Sequence, residues 1–218
     1  FINEIKKRGK ASSSEMIIPL PGETKETYYD GVKFLMDKGI QPETYTLMLL
    51  VGAEFGRDKA IKKHNMKSKY RILPKQFGSY NGKKVFEIEK VCIATESMNE
   101  QDYLECRNFG FINRVLSNPL FNNVYKLAKK LNISWFDLSK KFSDYVKSGE
   151  YNGEFKQIYL NFCLESENEL FNTIVDDVTV TPYSERGGNL ETIKKLPGKF
   201  AVGHNRYSTT GETSLRNI

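Results

Sequence analysis

Apolar positions in the first half of this chain come in short unbroken runs; in the second half they fall at helical spacing. Glu15–Leu20 is a brief Ile-rich run that stops at Pro21-Gly22. It reads as a buried strand closed by a tight turn. Thr24 then opens a helix with Tyr28, Val32, Leu35 and Met36 on one face, and Gly39 is placed to end it. A second strand is expected at Thr44–Val51, with Gly52 and Gly56 punctuating its end. Strand, helix and strand with short links make a βαβ unit, which predicts a parallel sheet covered by helices.

Arg57–Gly82 is basic and lacks sustained periodicity, with breaks at Pro74, Gly78 and Gly82. It reads as a short helix and a long excursion. Val85–Thr95 returns to strand character. Ser97-Met98-Asn99-Glu100 has the S-x-x-E form of a capping box, so a helix should begin there and carry Tyr103, Leu104, Phe111 and Val115.

Three amphipathic helices are then expected. Their markers are Phe121, Val124, Ala128 and Leu131; then Trp135, Leu138, Phe142 and Tyr145 behind a Ser134 start signal; then Phe155, Ile158, Tyr159 and Phe162. Aromatic residues at that spacing read as core packing. The character changes again around Thr179–Gly188. A helical turn at Leu190–Leu196, a Pro197-Gly198 turn and a strand at Lys199–Tyr207 are expected to follow.

Composition narrows the class. The 218 residues include 39% hydrophobic, 12% aromatic and 28% charged side chains, which fits a globular chain and excludes a disordered one. No apolar run approaches the roughly 18–20 residues of a membrane span, so no membrane partner is expected. The net charge is +6, but the basic residues come in pairs and triplets mixed with acids, such as Lys62-Lys63 and Lys140-Lys141. That pattern marks solvated faces more than a nucleic-acid surface. Cys92, Cys106 and Cys163 match no zinc or CxxC spacing. They read as small buried hydrophobes in a reduced, cytoplasmic setting, with no metal site of their own.

The first segment with chemistry is Met16-Ile17-Ile18-Pro19-Leu20-Pro21-Gly22-Glu23-Thr24. A parallel strand runs into a glycine turn and a helix start, at the sheet edge where α/β folds bind ligands. Read alone, it is also a turn like many others. Its wider context resembles radical S-adenosylmethionine enzymes, in particular the group that often carries an N-terminal cobalamin-binding domain. The resemblance rests on Pro-Leu-Pro-Gly-Glu-Thr, the helix ending at Lys38-Gly39, Leu-Leu-Val-Gly-Ala-Glu-Phe-Gly, the run Tyr70–Gly78, and Val91–Met98.

The resemblance implies the later strands of a (β/α) barrel over 1–115 and a helical extension over 116–186. It also implies S-adenosylmethionine and a [4Fe-4S] cluster as cofactors, cobalamin as a further possibility, and hydrogen-atom abstraction by a 5′-deoxyadenosyl radical. Ile18, Leu20, Pro21, Gly22 and Glu23 match the family's fifth-strand motif near the adenine, with Met16 and Leu20 standing where the family has glycines. Leu50, Val51 and Gly52 match the sixth-strand end, another adenine contact; packing of a strand end is the competing reading. The family's Cys-x3-Cys-x2-Cys motif does not occur in this chain. The cluster ligands are expected upstream of Phe1, and the chain alone is expected to be inactive.

The second segment is Ala201-Val202-Gly203-His204-Asn205-Arg206-Tyr207-Ser208-Thr209-Thr210-Gly211. An arginine at a strand end followed by hydroxyl side chains suits a carboxylate. His204 alone reads as a structural histidine. The string from Leu196 to Gly211 closely resembles class II glutamine amidotransferases of the amidophosphoribosyltransferase type. The resemblance, confined to 187–218, implies that Arg206 holds the glutamine carboxylate and that Tyr207, Ser208 and Thr209 line the pocket. That family's nucleophile is an N-terminal cysteine; Phe1 stands at the terminus here, so amide hydrolysis by this chain is not expected. A joined or partial gene model is the expectation and a genuine fusion the alternative, with a non-enzymatic basic binding domain as a further reading.

Overall fold

The computed structural model describes residues 12–80, 83–172 and 179–182. The chain mixes α and β structure, as expected, and divides into two compact units. Among the described residues, one holds 12–47, 64–67 and 92–168; the other holds 48–63, 68–91, 169–172 and 179–182.

The first unit is built on the βαβ element. Strand β1 (Ser13–Ile18) pairs in parallel with β2 (Gln41–Thr46), from Ser13 opposite Gln41 to Ile18 opposite Thr46. Helix α1 (Lys25–Asp37) is the crossover. Thr24 caps it as the sequence predicts: its hydroxyl accepts from Thr27 N–H at 3.2 Å, and Thr27 Oγ1 accepts from Thr24 N–H at 2.9 Å. At the other end Gly39, at φ +68°, donates to Met36 O, and Ile40 donates to Leu35 O. Those two bonds form a Schellman stop. Tyr28, Val32 and Met36 are buried, and each apolar side chain of that size contributes about 1.5–3 kcal/mol by leaving water.

The second strand starts and ends earlier than Thr44–Val51. Its extent follows from backbone pairing with β1 rather than from the densest apolar run. After Thr46 the chain is held otherwise: Leu47 N–H donates to Ile18 O, and Cys92 N–H donates to Leu47 O.

Helix α3 (Glu100–Leu116) lies against β2. The cap expected at Ser97 stands two residues later. Asn99 is the cap, accepting from Asp102 N–H at 2.9 Å, while its amide donates to Asp102 Oδ2 at 2.7 Å. Thr95 captures the preceding turn, its hydroxyl accepting from the N–H groups of Ser97 and Met98. Three further helices follow a 3₁₀ turn at Pro119–Phe121: α4 (Asn122–Lys130), α5 (Trp135–Lys147) and α6 (Glu154–Asn168). Ser134 caps α5 as predicted. A cluster of Ile112, Leu116, Val146 and Tyr159, ringed by Phe111, Phe121, Trp135, Phe142 and Phe155, ties α3, α5 and α6 together.

Not every aromatic or aliphatic marker joins this core. Val124, Leu131, Tyr145 and Ile158 are exposed. In α5 the small residues Ser139 and Ser143, with Val146, make the buried face instead. Close helix packing selects small side chains there.

The second unit corrects the reading of 57–82. Helix α2 (Asp58–Lys63) is short, as expected, but the long excursion is a strand, β3 (Lys67–Tyr80), adjacent to β4 (Lys83–Ala94). Asn81-Gly82 in the sequence is a strong short-range hairpin signal, and β3 runs through Pro74 and Gly78 without a break. A short strand β5 (Thr179–Pro182) pairs in parallel with β4, Val85 opposite Thr179. Arg71 donates to the buried Glu89 and, at 3.4 Å, to Glu169.

Candidate functional site

The carboxyl end of β1 carries the first candidate group. Ile18 and Pro19 are buried, and the Ile18 carbonyl is pinned by Leu47 N–H at 2.7 Å. Leu20 O accepts from Glu23 N–H at 3.1 Å across Pro21 and Gly22, and Gly22 sits at φ +82°. Proline second and a left-handed glycine third define a type II turn. A side chain at Gly22 would meet nothing within 4 Å. Backbone conformation, not crowding, therefore asks for glycine there.

Glu23 is held between this turn and the capped start of α1. Its Oε2 is buried and has no hydrogen-bond partner among the described residues. Burial raises its pKa above the ordinary carboxylate value. The neighbouring cation does not relieve it, because Lys25 is engaged by Asp102 at 2.8 Å and Glu105 at 3.1 Å. An acid kept half out of water with an idle oxygen costs free energy in the absence of a donor. Such groups concentrate at ligand sites.

Around this turn, Tyr28 OH lies 2.7 Å from Thr44 Oγ1 and donates to Cys106 O at 3.3 Å. Burial pushes the Cys106 thiol up to about 12 and the Cys92 thiol up to about 11. Neither is a nucleophile at neutral pH. All three cysteines are free. Among the described residues no three His, Cys, Asp or Glu side chains converge as a metal site.

A polar network at the carboxyl end of β2 was not anticipated. Thr46 Oγ1 is 3.0 Å from Tyr103 OH, and Arg107 donates to Thr46 Oγ1 at 3.4 Å and to Ser166 Oγ at 3.2 Å. The Arg107 guanidinium also lies 5.8 Å from the Phe162 ring centre. The available signal was the i, i+4 spacing of Tyr103 and Arg107, which puts both on one helix face.

Leu50, Val51 and Gly52 belong to the other unit. Leu50 O accepts from Ala53 N–H at 3.1 Å with Gly52 at φ +87°, a second glycine turn, and Val51 is exposed. Gly56 folds back beneath it: a Cβ there would stand 1.9 Å from Leu50 O. Arg206, Tyr207, Ser208 and Thr209, with His204 and the expected strand at 199–207, lie outside the described residues. No helix among the described residues is long and apolar enough to cross a membrane.

No protein-family model matches the chain. A 30-residue stretch is 53% identical to amidophosphoribosyltransferase of Rhizobium etli, covering 14% of this chain and 6% of that protein. The chain thus spans a small fraction of that relative's length, and the likeness is that of one short segment.

Proposed function

We propose that residues 12–115 form part of a radical S-adenosylmethionine enzyme, contributing later strands of its (β/α) barrel. The Ile18–Glu23 turn is read as part of the adenine side of the cofactor site. The observation that carries this reading is the buried, unpartnered Glu23 Oε2 at a turn closing a parallel strand of a βαβ unit. An exocyclic amine or ribose hydroxyl is the donor that such an oxygen lacks. The main chain of Leu20–Gly22 lines the same turn, and Leu20 restricts how closely a ligand approaches it.

When bound beside a reduced iron–sulfur centre, the cofactor supplies hydrogen-atom abstraction. The described cysteines do not fit a cluster: Cys92 and Cys106 are buried as thiols and no three ligands converge. No step is assigned to a cluster held by this chain, and no residue is assigned to cobalamin.

The test is anaerobic supply of iron and sulfide to the full gene product, followed by electron paramagnetic resonance with and without S-adenosylmethionine. A reduced-cluster signal that shifts with the cofactor is expected, and Glu23→Gln should weaken the concentration dependence of that shift about tenfold, the loss of one good hydrogen bond to a charged acceptor. Absence of a cluster, or of a Cys-x3-Cys-x2-Cys motif in the full gene product, overturns the reading.

The short match to amidophosphoribosyltransferase favours a second reading for 187–218, a glutamine-carboxylate pocket around Arg206. Glutaminase activity of the full gene product, lost in Arg206→Met, would support it. Absence of a processed N-terminal cysteine in that product would end it.

A further inference from the structure

The segment from Ser117 to Ser134 presents an apolar ridge to solvent. Leu120 is 86% exposed, Leu131 60%, Leu127 56%, and Val124 and Ile133 47% each. Val124, Leu127 and Leu131 are spaced three and four apart, so at 100° per residue they fall within about 60° of one another, and Leu120 precedes them on the 3₁₀ turn. The flank next to the ridge is used by the fold. Ala128 is buried, Phe121 packs on the helical core, and Tyr125 meets the Trp135 ring edge-on at 5.4 Å between ring centres.

Charge selects the occupant. The eighteen residues from Ser117 to Ser134 contain Lys126, Lys129 and Lys130 and no acid. Lys126 and Lys130, four apart, lie on the flank away from the core, about 100° and 60° round from Leu127. A second copy of this ridge would bring lysine against lysine with no carboxylate to pair them. Leu120 tips the ridge at the 3₁₀ corner that precedes α4.

Against the expectation of no membrane partner, we propose that α4 and the turn before it dock this protein on the surface of an anionic lipid bilayer. The helix lies in the plane of the interface, with Leu120, Val124, Leu127 and Leu131 among the acyl chains and the lysines at the headgroups. Short amphipathic helices with a basic polar face bind membranes this way, lying on them without crossing. The stems of Lys126 and Lys130 extend along the apolar surface while their ammonium groups reach the phosphates. This inference is independent of the reading of Glu23.

The test is co-sedimentation of the full chain with phosphatidylcholine vesicles, with and without phosphatidylserine. Three lysines near an anionic surface should strengthen binding on the order of a hundredfold on the serine-containing vesicles, and the gain should fall as salt rises. Leu127→Asp with Leu131→Asp should abolish binding. Both positions are exposed, so the circular-dichroism melt should be unchanged. Lys126→Glu with Lys130→Glu leaves the apolar ridge intact and should remove the preference for phosphatidylserine. Equal binding to both vesicle types, or no binding by the folded chain, overturns the proposal. So does a dimer in sedimentation velocity that Leu127→Asp dissolves, or slow hydrogen exchange over 120–131 that vesicles do not change; these would assign the ridge to a second copy or to another part of the chain.

Discussion

Glu23 and the two turn glycines show how single positions answer to different forces. Burial raises the Glu23 pKa, so the folded protein holds that proton to higher pH than the unfolded chain does. Stability from this group is then greatest in acid and is lost as pH rises through the folded pKa. Glu23→Gln should therefore raise the urea midpoint at pH 7, and the gain should disappear below the ordinary carboxylate range. A denaturation series across pH measures it, and a gain that persists in acid would show that charge burial is not the cause.

Glycine at 22 and at 56 is required for different reasons. Gly22→Ala meets open space but strains a left-handed backbone, costing about 1 kcal/mol. Gly56→Ala places a methyl group 1.9 Å from the Leu50 carbonyl, so the turn must move. Its cost should be larger, about 2–4 kcal/mol, in the same urea assay. The thiols give a third residue-level outcome. Burial raises all three thiol pKa values, but Cys92 and Cys106 are buried whereas Cys163 is only half-buried. Maleimide should label Cys163 first in the native protein and reach the other two only in denaturant.

Helix ends decide the elements, and here sequence and structure part in instructive ways. Thr24 and Ser134 were legible as caps because each is a hydroxyl directly before an amphipathic stretch. Ser97 met the same pattern but belongs to the Thr95 turn, and Asn99 caps α3. Asn99→Ala should cost about 1 kcal/mol in thermal unfolding and Ser97→Ala only a few tenths; the reverse order would restore the Ser97 start. The stripe Phe121, Val124, Ala128 and Leu131 correctly marked a helix but not its buried side. Periodicity locates an apolar face without saying whether anything covers it.

At the scale of the whole molecule, contacts distant in sequence hold the second unit together. Arg71 bridges Glu89 and Glu169, and Tyr70 exchanges two backbone hydrogen bonds with Phe171, at 2.8 and 2.9 Å. Glu89 is 3% exposed. Arg71→Met strands that carboxylate and should cost about 3–5 kcal/mol, while Arg71→Met with Glu89→Met should recover most of the loss. A double-mutant cycle in urea checks this, and additive losses would show that the two side chains act separately.

The sequence by itself determined the βαβ element, its helix caps, the glycine turns and the existence of four longer helices. Each of these depends on residues within a few positions of one another, where spacing and backbone preference act directly. Only the tertiary structure decided where β2 ends, that β3 replaces the expected loop, which apolar stripes are covered, and that Glu23 keeps an idle buried oxygen. Those outcomes depend on which distant segment supplies a backbone partner, an apolar surface or a donor, and no local pattern encodes that choice.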